Sequence, residues 1–352
     1  MTSPQIGLLR LVSQRLTCSD RTTPDAAVRW MGAMQGQDYR GALTSIALRT
    51  AGRTRGAVVA ALNAGEIVRS WPMRGTIHVV AAEDLPWMLR WLTPRVVAGA
   101  ARRRAQLDLD EKVLEQARMV AIEALRGGRQ LRRDDLMSAW NAAGISTESQ
   151  RGYHMLWHLA QTGTMCFGPV QDAEQRIVLI DEWIAGPPQL ARDEALGELA
   201  TRYFRSHGPA TAGDLSRWAH LTMADVRTGL AAAEPHLAHI EVDGTTYHLD
   251  PQAFAQLDAF RAEAEGVLLL PGFDEFILGY GDRRAVITDE FADQLVPGRN
   301  GVFKPTVVSG GRVIGTWRHS GRRPDRTFAA SPFTAFTDDV SAVLPEIYAR
   351  LP

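Results

Sequence analysis

Two glutamines, Gln35 and Gln37, stand two residues apart directly after an apolar helical pattern. In an extended segment, residues i and i+2 lie on the same face of the chain. Two amides on one face can orient a single water molecule, which is the first requirement of a hydrolytic site. The alternative is that both are ordinary surface amides after a helix end, so the surrounding elements have to decide between the two interpretations.

An amphipathic helix over residues 24–34 is predicted to lead into this pair, because apolar residues recur there at helical spacing. Gly36 then allows the backbone to leave helical geometry. Helices followed by a small hairpin are typical of a winged helix, and the amino-terminal region has that order. The predicted helices cover residues 5–16, 24–34 and 54–64, and the predicted strands cover 67–71 and 76–80.

The same order returns twice along the chain. In the third copy, Asp243-Gly244 between two β-type runs is a strong hairpin signal. Thr211 is a predicted helix N-cap, with Asp214 at N3 as the carboxylate of a capping box. The second copy comprises helices 111–126, 131–142 and 149–162 with strands 165–167 and 176–180, and the third comprises helices 191–206, 211–219 and 222–233 with strands 239–242 and 245–249.

The remaining segment shifts to β-rich and turn-rich composition, with a strand at 266–270 and a hairpin formed by 306–308 and 312–317. The predicted fold class is α+β, with three tandem winged-helix (helix-turn-helix) domains and a C-terminal β-containing domain. Each winged helix would bury its own core, which favours a long curved binding surface over one compact pocket. The predicted segments are 1–82 (winged helix 1), 83–186 (linker helices and winged helix 2), 187–250 (winged helix 3) and 251–352 (the β-rich domain).

Composition describes a soluble globular protein, with 352 residues of which 45% are hydrophobic and 22% charged. No run approaches the ~18 apolar residues of a membrane span, so a cytoplasmic protein without a membrane partner is expected. Cys18 and Cys166 have no motif around them, which argues against a disulfide or a zinc site. His154 and His158 are spaced i, i+4, but the sequence suggests no third ligand. We therefore expect neither a metal nor a cofactor.

Charge is distributed unevenly although the formal net charge is only −1. Residues 1–133 hold 21 Lys and Arg against 11 Asp and Glu, whereas residues 134–352 hold 18 against 29. The amino-terminal part could attract a polyanion. Clustered arginines are good phosphate ligands, although a solvated helix face explains the clusters equally well.

Four motifs occur together and in order: residues 35–39 (QGQDY), 73–78 (MRGTIH), 208–211 (GPAT) and 270–280 (LPGFDEFILGY). In this combination the chain resembles the bacterial winged-helix DNA glycosylases of the AlkZ and YcaQ kind, and the resemblance covers nearly its full length. The resemblance implies a monofunctional DNA glycosylase that acts on double-stranded DNA.

The resemblance also implies that Gln35 and Gln37 are catalytic, since they match the Gln-X-Gln form of the AlkZ branch. That branch is associated with excision of bulky N7-alkylpurines, sometimes of interstrand crosslinks, and with self-resistance in producers of DNA-alkylating compounds. The middle residue here is Gly36, where an apolar residue is usual in that branch. A monomer that works on alkylated DNA in the nucleoid is the expected form.

The chemistry of the two amides agrees with such a substrate. Hydrolysis of an N-glycosidic bond normally needs a general acid for the leaving base and a carboxylate to activate water. N7-alkylguanine already carries a positive charge, so its departure needs no protonation and the remaining task is to place a water at C1′. The partial negative charge of two amide oxygens would also favour the developing sugar cation.

Several other side chains are candidate DNA contacts. Tyr39 could stack on DNA or close a core. His78 could reach DNA or the catalytic loop, or it could pack against its own hairpin. Asp38 is assigned a loop-stabilising role, and Asp274 and Glu275 are expected to form structural bonds with arginines such as Arg283 and Arg284. The predicted DNA-binding residues are Tyr39, Arg74, Thr76, His78, Arg102, Arg103, Arg104, Arg299, Asn300 and Lys304.

Two rival functions remain open at this stage. A winged-helix transcription regulator or other non-catalytic DNA-binding protein would explain the repeats and the basic half. Sequestration of a free alkylating metabolite is a third possibility. Neither rival requires two amides at a helix end.

Overall fold

The computed structural model describes residues 3–17, 22–299, 301–320 and 327–352. Contacts between residues divide the chain into two compact units. Unit 1 is discontinuous and combines Met1–Ala57 with Leu196–Pro352, whereas unit 2 is the continuous stretch Val58–Ala195. The four-segment division made from sequence stays a prediction beside this grouping.

The amino-terminal elements carry the glutamine pair. They are α1 (Ser3–Ser13), α2 (Pro24–Met31), β1 (Met34–Gln35), α3 (Tyr39–Ala47) and α4 (Arg55–Asn63). Helix α2 ends at Met31, and Gly32 follows with φ 75°, a conformation that glycine adopts without steric cost. Gly32 therefore ends the helix, and not Gly36 as the sequence suggested.

Unit 2 contains one antiparallel sheet that joins two hairpins in the order β3-β2-β4-β5, with Arg69 opposite Phe167 at the junction. Trp71 of the first hairpin shares a hydrophobic core with Trp140 and Met155. The two hairpins thus share one core, whereas the sequence suggested a separate core for each. The elements of unit 2 are β2 (Ile67–Met73), β3 (Thr76–Ala81), α5 (Leu85–Leu92), α6 (Pro94–Gly99), α7 (Ala101–Gln106), α8 (Glu111–Leu125), α9 (Arg133–Ala142), α10 (Arg151–Gln161), β4 (Met165–Gln171), β5 (Glu174–Leu179) and α11 (Ile180–Trp183).

Unit 1 resumes with a helix–hairpin group that matches the predicted third repeat. Thr211 caps α13 and forms a capping box with Asp214, as predicted. Strands β6 and β7 pair up to Val242 and Thr245 around the predicted Asp-Gly turn. These elements are α12 (Arg192–His207), α13 (Ala212–Ala219), α14 (Met223–Ala233), β6 (Ala238–Val242) and β7 (Thr245–Leu249).

The carboxyl-terminal part of unit 1 contains an antiparallel sheet in the order β11-β10-β9-β8, which confirms the predicted hairpin at 306–317. Trp317 and Leu269 of this sheet pack against Leu344 of the last helix. Within the described residues, no helix is both long and apolar enough to cross a membrane. The elements are α15 (Ala253–Ala259), α16 (Arg261–Glu265), β8 (Val267–Leu270), α17 (Glu275–Leu278), α18 (Asp289–Leu295), β9 (Thr306–Ser309), β10 (Arg312–Ser320), β11 (Thr327–Pro332) and α19 (Asp338–Ala349).

Candidate active site

The two glutamines differ in their surroundings. Gln35 ends β1 with only 9% of its surface exposed, whereas Gln37 is exposed to solvent. Oε1 of Gln35 accepts hydrogen bonds from the backbone N–H groups of Gly36 at 3.0 Å and Gln37 at 3.3 Å. The Gln35 carbonyl therefore shapes the loop from within, and Gln37 is the amide that faces solvent. The expectation that the pair shares one face does not hold.

Glu275 holds this loop by a hydrogen bond. Its Oε1 accepts the backbone N–H of Gln35 at 2.8 Å, and its Oε2 accepts the indole N–H of Trp218 at 3.0 Å. The side chain of Glu275 is fully buried. Both carboxylate oxygens are thus engaged by neutral donors, an arrangement that satisfies a buried carboxylate and stabilises it. The acid side chain of Glu275 thus lies one hydrogen bond away from the glutamine motif.

His207 is the next neighbour of this carboxylate. Its Nε2 lies 3.5 Å from Oε2 of Glu275, its Nδ1 lies 2.8 Å from Oγ of Ser206, and its ring stacks on Tyr203 at 4.7 Å. Burial lowers the pKa of His207 from its usual 6.5, although Glu275 acts in the opposite direction. The ring is therefore neutral at neutral pH and does not form a charged pair with Glu275.

Asp274, the residue before Glu275, forms a separate buried ion pair. Arg49 donates from Nη1 to Oδ2 and from Nη2 to Oδ1, both at 2.9 Å, and Ser45 donates to Oδ2 at 2.5 Å. Oδ1 also accepts the N–H of Phe276 and so caps α17. Asp274 thus bonds to an arginine, as expected, but the partner is Arg49 and not one of the two arginines named from sequence. The Nε–H of Arg283 donates to the carbonyl of Ile277, and Arg284 pairs with Asp282.

The glutamine motif and the 270–280 motif meet at Glu275, next to residues that flank the 208–211 motif. The N3 carboxylate of α13, Asp214, accepts the N–H of Gly281 at 2.8 Å, and the Tyr280 hydroxyl donates to the carbonyl of His207 at 2.7 Å. A Cβ on Gly279 would lie 2.5 Å from Cδ2 of His207, so glycine is required at this close approach. Sequence reasoning named Glu275 but missed its link to Gln35, and it missed Trp218 and His207. An acid pair inside the otherwise apolar run 268–278 was the available signal.

Asp38 and Tyr39 lie where the loop enters α3. Asp38 is exposed and its backbone carbonyl accepts the N–H of Ala42 at 2.8 Å, but its side chain makes no capping hydrogen bond. Its carboxylate therefore does not stabilise the loop by capping, and it faces solvent one residue after Gln37. Tyr39 is partly buried as the first residue of α3.

In unit 2, Arg74 and Gly75 form the tight turn of the β2–β3 hairpin, with φ values of 56° and 67°. The guanidinium of Arg74 lies 2.9 Å from Nε2 of His78, and Nδ1 of His78 lies 2.9 Å from the carbonyl of Thr76. A ring that donates from Nδ1 to this carbonyl and accepts the Arg74 N–H at Nε2 satisfies both contacts. His78 has 0% of its surface exposed, so it packs within its own hairpin, and Arg74 and Thr76 are partly buried.

The arginine cluster of unit 2 lies on α7. Arg102 and Arg103 are exposed, and Arg103 donates to Oε1 of Gln150 at 2.9 Å, whereas Arg104 is half-buried and donates to the carbonyl of Val97 at 2.5 Å. Burial lowers the pKa of His154 and of His158, and the nearby charges of Arg103 and Arg104 act in the same direction.

The remaining candidates are less informative. Lys304 is exposed, and Arg299 ends a short turn at Pro297–Arg299. Asn300 and Cys18 lie outside the described residues. Burial raises the pKa of the Cys166 thiol to about 12, so this cysteine is an inert core residue. Among the described residues, no group of three or more His, Cys, Asp or Glu could hold a metal ion.

Comparison with known proteins shows the family of this chain. The family described as "DNA glycosylase AlkZ-like" matches residues 28–351. The chain belongs to the AlkZ-like DNA glycosylase family. It is thus a hydrolase that cleaves N-glycosidic bonds in DNA, as the resemblance implied.

Two matches from Streptomyces sahachiroi illustrate the likeness. This glycosylase is 26% identical over 327 residues to a protein named interstrand DNA cross-link repair glycosylase, with 86% of this chain and 85% of the relative covered. The solved structure of DNA glycosylase AlkZ superposes with a TM-score of 0.81 at 22% identity, covering 100% of this chain and 96% of that chain. The second likeness is one of fold, here a mixture of helices and sheets.

Proposed function

We propose that this glycosylase excises N7-alkylated, cationic purines from double-stranded DNA, including bulky adducts and interstrand crosslinks. Water attacks C1′ after it has been placed by the amides of the glutamine motif. The observation that carries the proposal is the exposed neutral amide of Gln37 on a loop anchored to the buried Glu275. The name of the relative from Streptomyces sahachiroi supports the crosslink class of substrate.

The two glutamines divide the work in this mechanism. The Gln35 carbonyl accepts two backbone N–H groups and fixes the loop, and its amide N–H groups remain as donors. The Gln37 carbonyl accepts a hydrogen bond from the attacking water. In its ionised form Glu275 would favour the oxocarbenium-like sugar electrostatically, and its hydrogen bonds to the Gln35 peptide and to Trp218 keep it from acting as a base itself.

A cationic leaving group is essential to this chemistry. The amides supply no proton for the departing base, so normal purines stay in place and only bases already activated by N7-alkylation leave. Release of undamaged guanine at a comparable rate would contradict the proposal.

The duplex-binding part of the proposal keeps the interpretation of three winged helices and a β-containing domain, with the enzyme acting as a monomer. The observed order of helices and hairpins in each predicted repeat supports it. Exposed Arg102, Arg103 and Lys304 are the proposed phosphate contacts, whereas the burial of His78 makes a DNA contact through its ring unfavourable.

The experiment compares release of N7-methylguanine and of a bulkier N7-alkylguanine from duplex DNA by wild type, Gln37→Ala and Asp38→Asn, with abasic-site cleavage as the readout. We expect activity in wild type, background release by Gln37→Ala, and a much smaller loss of release by Asp38→Asn. Loss of activity only in Asp38→Asn would transfer water activation to that carboxylate. Intact duplex binding without release of either lesion by wild type would favour the non-catalytic DNA-binding function.

A further inference from the structure

A cavity of about 800 Å³ in unit 1 has Asp38, the residue that follows Gln37, in its lining. Neighbouring Cα atoms in a chain are about 3.8 Å apart, so the lining comes within one residue of the exposed amide. The volume lies in the range of pockets that hold drug-sized ligands. An N7-methyl group would leave such a space almost empty.

One wall of the cavity is aromatic and rigid. Trp317 and His319 lie on the same face of β10 with ring centroids 6.0 Å apart, and Tyr348 of α19 meets Trp317 edge-on at 5.9 Å. The indole N–H of Trp317 donates to the carbonyl of Leu270 at 2.9 Å, which fixes the ring. Fixed aromatic side chains bind flat rings by stacking and edge contacts at little entropic cost.

Another part of the lining is polar and held by hydrogen bonds. Arg55 donates from Nε to Oγ1 of Thr44 at 2.9 Å, and the Thr44 hydroxyl donates to the carbonyl of Arg40 at 3.0 Å. Guanidinium groups stack on flat rings and donate to carbonyl or phosphate oxygens. The carboxylate of Asp38 in the lining attracts a cationic base. The lining thus combines aromatic rings, guanidinium groups and a carboxylate.

We propose that this cavity is the specificity pocket for a flat aromatic substituent carried on N7 of a bulky purine adduct. The proposal rests on the proposed function, because it requires that the amide of Gln37 acts at C1′ of the same nucleotide. The aromatic wall receives the substituent, Arg40 and Arg55 contact its polar groups, and Asp38 faces the charged purine ring.

The test fills the pocket without changing the catalytic loop. Ala349 lines the cavity and is exposed at the end of α19, so Ala349→Trp places an indole in it. Val343→Trp on the same helix is the matched control, because Val343 is 37% exposed and does not line the cavity. Single-turnover release and KM are measured for N7-methylguanine and for an N7-(arylalkyl)guanine in the same duplex.

We expect Ala349→Trp to lower kcat/KM for the aromatic adduct by about tenfold or more, as removal of a fitted apolar interaction does, and to leave N7-methylguanine release near wild type. His319→Ala, which removes an exposed aromatic ring, should lower kcat/KM for the aromatic adduct to a smaller extent. Val343→Trp should leave kcat/KM unchanged for both substrates.

Two results would overturn the pocket. An equal loss of kcat/KM for both lesions in Ala349→Trp would mean that the substitution disturbs the loop. An unchanged kcat/KM for the aromatic adduct in both Ala349→Trp and His319→Ala would place the substituent elsewhere. Failure of the proposed function looks different, because wild type would then release neither lesion.

Discussion

The backbone N–H of Gln35 lies 2.8 Å from Oε1 of Glu275, a residue 240 positions further along the chain. Trp218 holds the other oxygen of the same carboxylate at 3.0 Å. The glutamine loop is therefore positioned by a buried acid and not by its own sequence neighbours alone.

Glu275→Gln tests this support. The amide oxygen can still accept from Gln35, but the amide NH₂ then faces the indole N–H of Trp218, so one donor loses its acceptor. We expect the free energy of unfolding to fall by about 1–3 kcal/mol and the excision rate to fall by about tenfold or more. Urea unfolding and single-turnover release measure the two effects.

Trp218→Phe provides the control for that variant, because it removes a donor from Oε2 and leaves the bond to Gln35 in place. Its rate should lie between wild type and Glu275→Gln. A Glu275→Gln enzyme with the wild-type excision rate and pH profile would mean that the carboxylate has no positioning role.

Gln35 and Gln37 should respond differently to alanine. Gln37→Ala removes an exposed side chain, so we expect loss of excision with an unchanged Tm. Gln35→Ala leaves two backbone N–H groups without their acceptor, so stability should fall by about 1–3 kcal/mol in addition to the loss of activity. Equal Tm values for the two variants in a thermal melt would contradict the observed hydrogen bonds.

The buried Arg49–Asp274 ion pair should affect the free energy of unfolding. Both side chains are buried, and removing one leaves an unpaired charge, so Arg49→Met should cost about 3–5 kcal/mol. Asp274→Asn leaves Arg49 as the unpaired charge and should cost a similar amount. The double variant should recover part of the loss in a denaturant-based double-mutant cycle, whereas fully additive losses would show that the two groups do not interact.

Acid should destabilise the fold through His207. Burial lowers the pKa of His207 in the folded chain, and Arg49 and Arg10 add to this effect while Glu275 opposes it. As the pH falls through about 6.5, the unfolded chain takes up a proton that the folded chain resists, so stability is lost below that pH.

The measurement is the slope of the unfolding free energy against pH between about 5 and 6.5. A group that titrates only in the unfolded state contributes up to about 1.4 kcal/mol per pH unit. His207→Phe should reduce the slope, whatever it does to overall stability. An unchanged slope would exclude His207 as a source of acid sensitivity.

The exposed arginines of α7 should contribute to DNA binding through contacts with backbone phosphates. Arg102→Ala should weaken duplex binding to a similar extent for damaged and undamaged DNA. The slope of log K against the logarithm of the salt concentration should become shallower by about 0.9 for each phosphate that loses its cationic partner. Titrations at several salt concentrations measure both effects. The exposed Met119→Ala on α8 is a suitable control, since it changes no charge. Weakening confined to damaged DNA would argue against a phosphate contact.

Local signals allowed much of the fold to be predicted. The capping box at Thr211 and Asp214, the turn at Asp243-Gly244 and the hairpin at 306–317 depend on residues close in sequence, and all three are present. Helix α3 was missed for a physical reason: residues from Gly41 to Ala47 are all buried, so the segment lacks the polar face that reveals an amphipathic helix.

The support of the site could not be predicted in the same way. Two acids in an apolar run signal a polar core, but nothing local indicates which donors they meet. Glu275 binds Gln35 and Trp218, and Asp274 binds Arg49, all far away in sequence. The exposure of Gln37 follows from the way Gln35 folds back onto its own loop, which the spacing of two residues does not reveal.

The discontinuity of unit 1 has a consequence for synthesis on the ribosome. Val58–Ala195 is continuous and can fold as soon as it has emerged, since domains generally fold as units from the amino-terminal side. Residues 1–57 have to wait, with apolar side chains such as Leu9 and Val12 exposed, until their partners Leu249 and Leu257 have been translated. A nascent chain that ends before Glu275 carries both glutamines but lacks the acid that holds their loop. The repair activity should therefore appear only after the last quarter of the protein has been translated. Until then, helix α1 has exposed apolar side chains that a chaperone can bind.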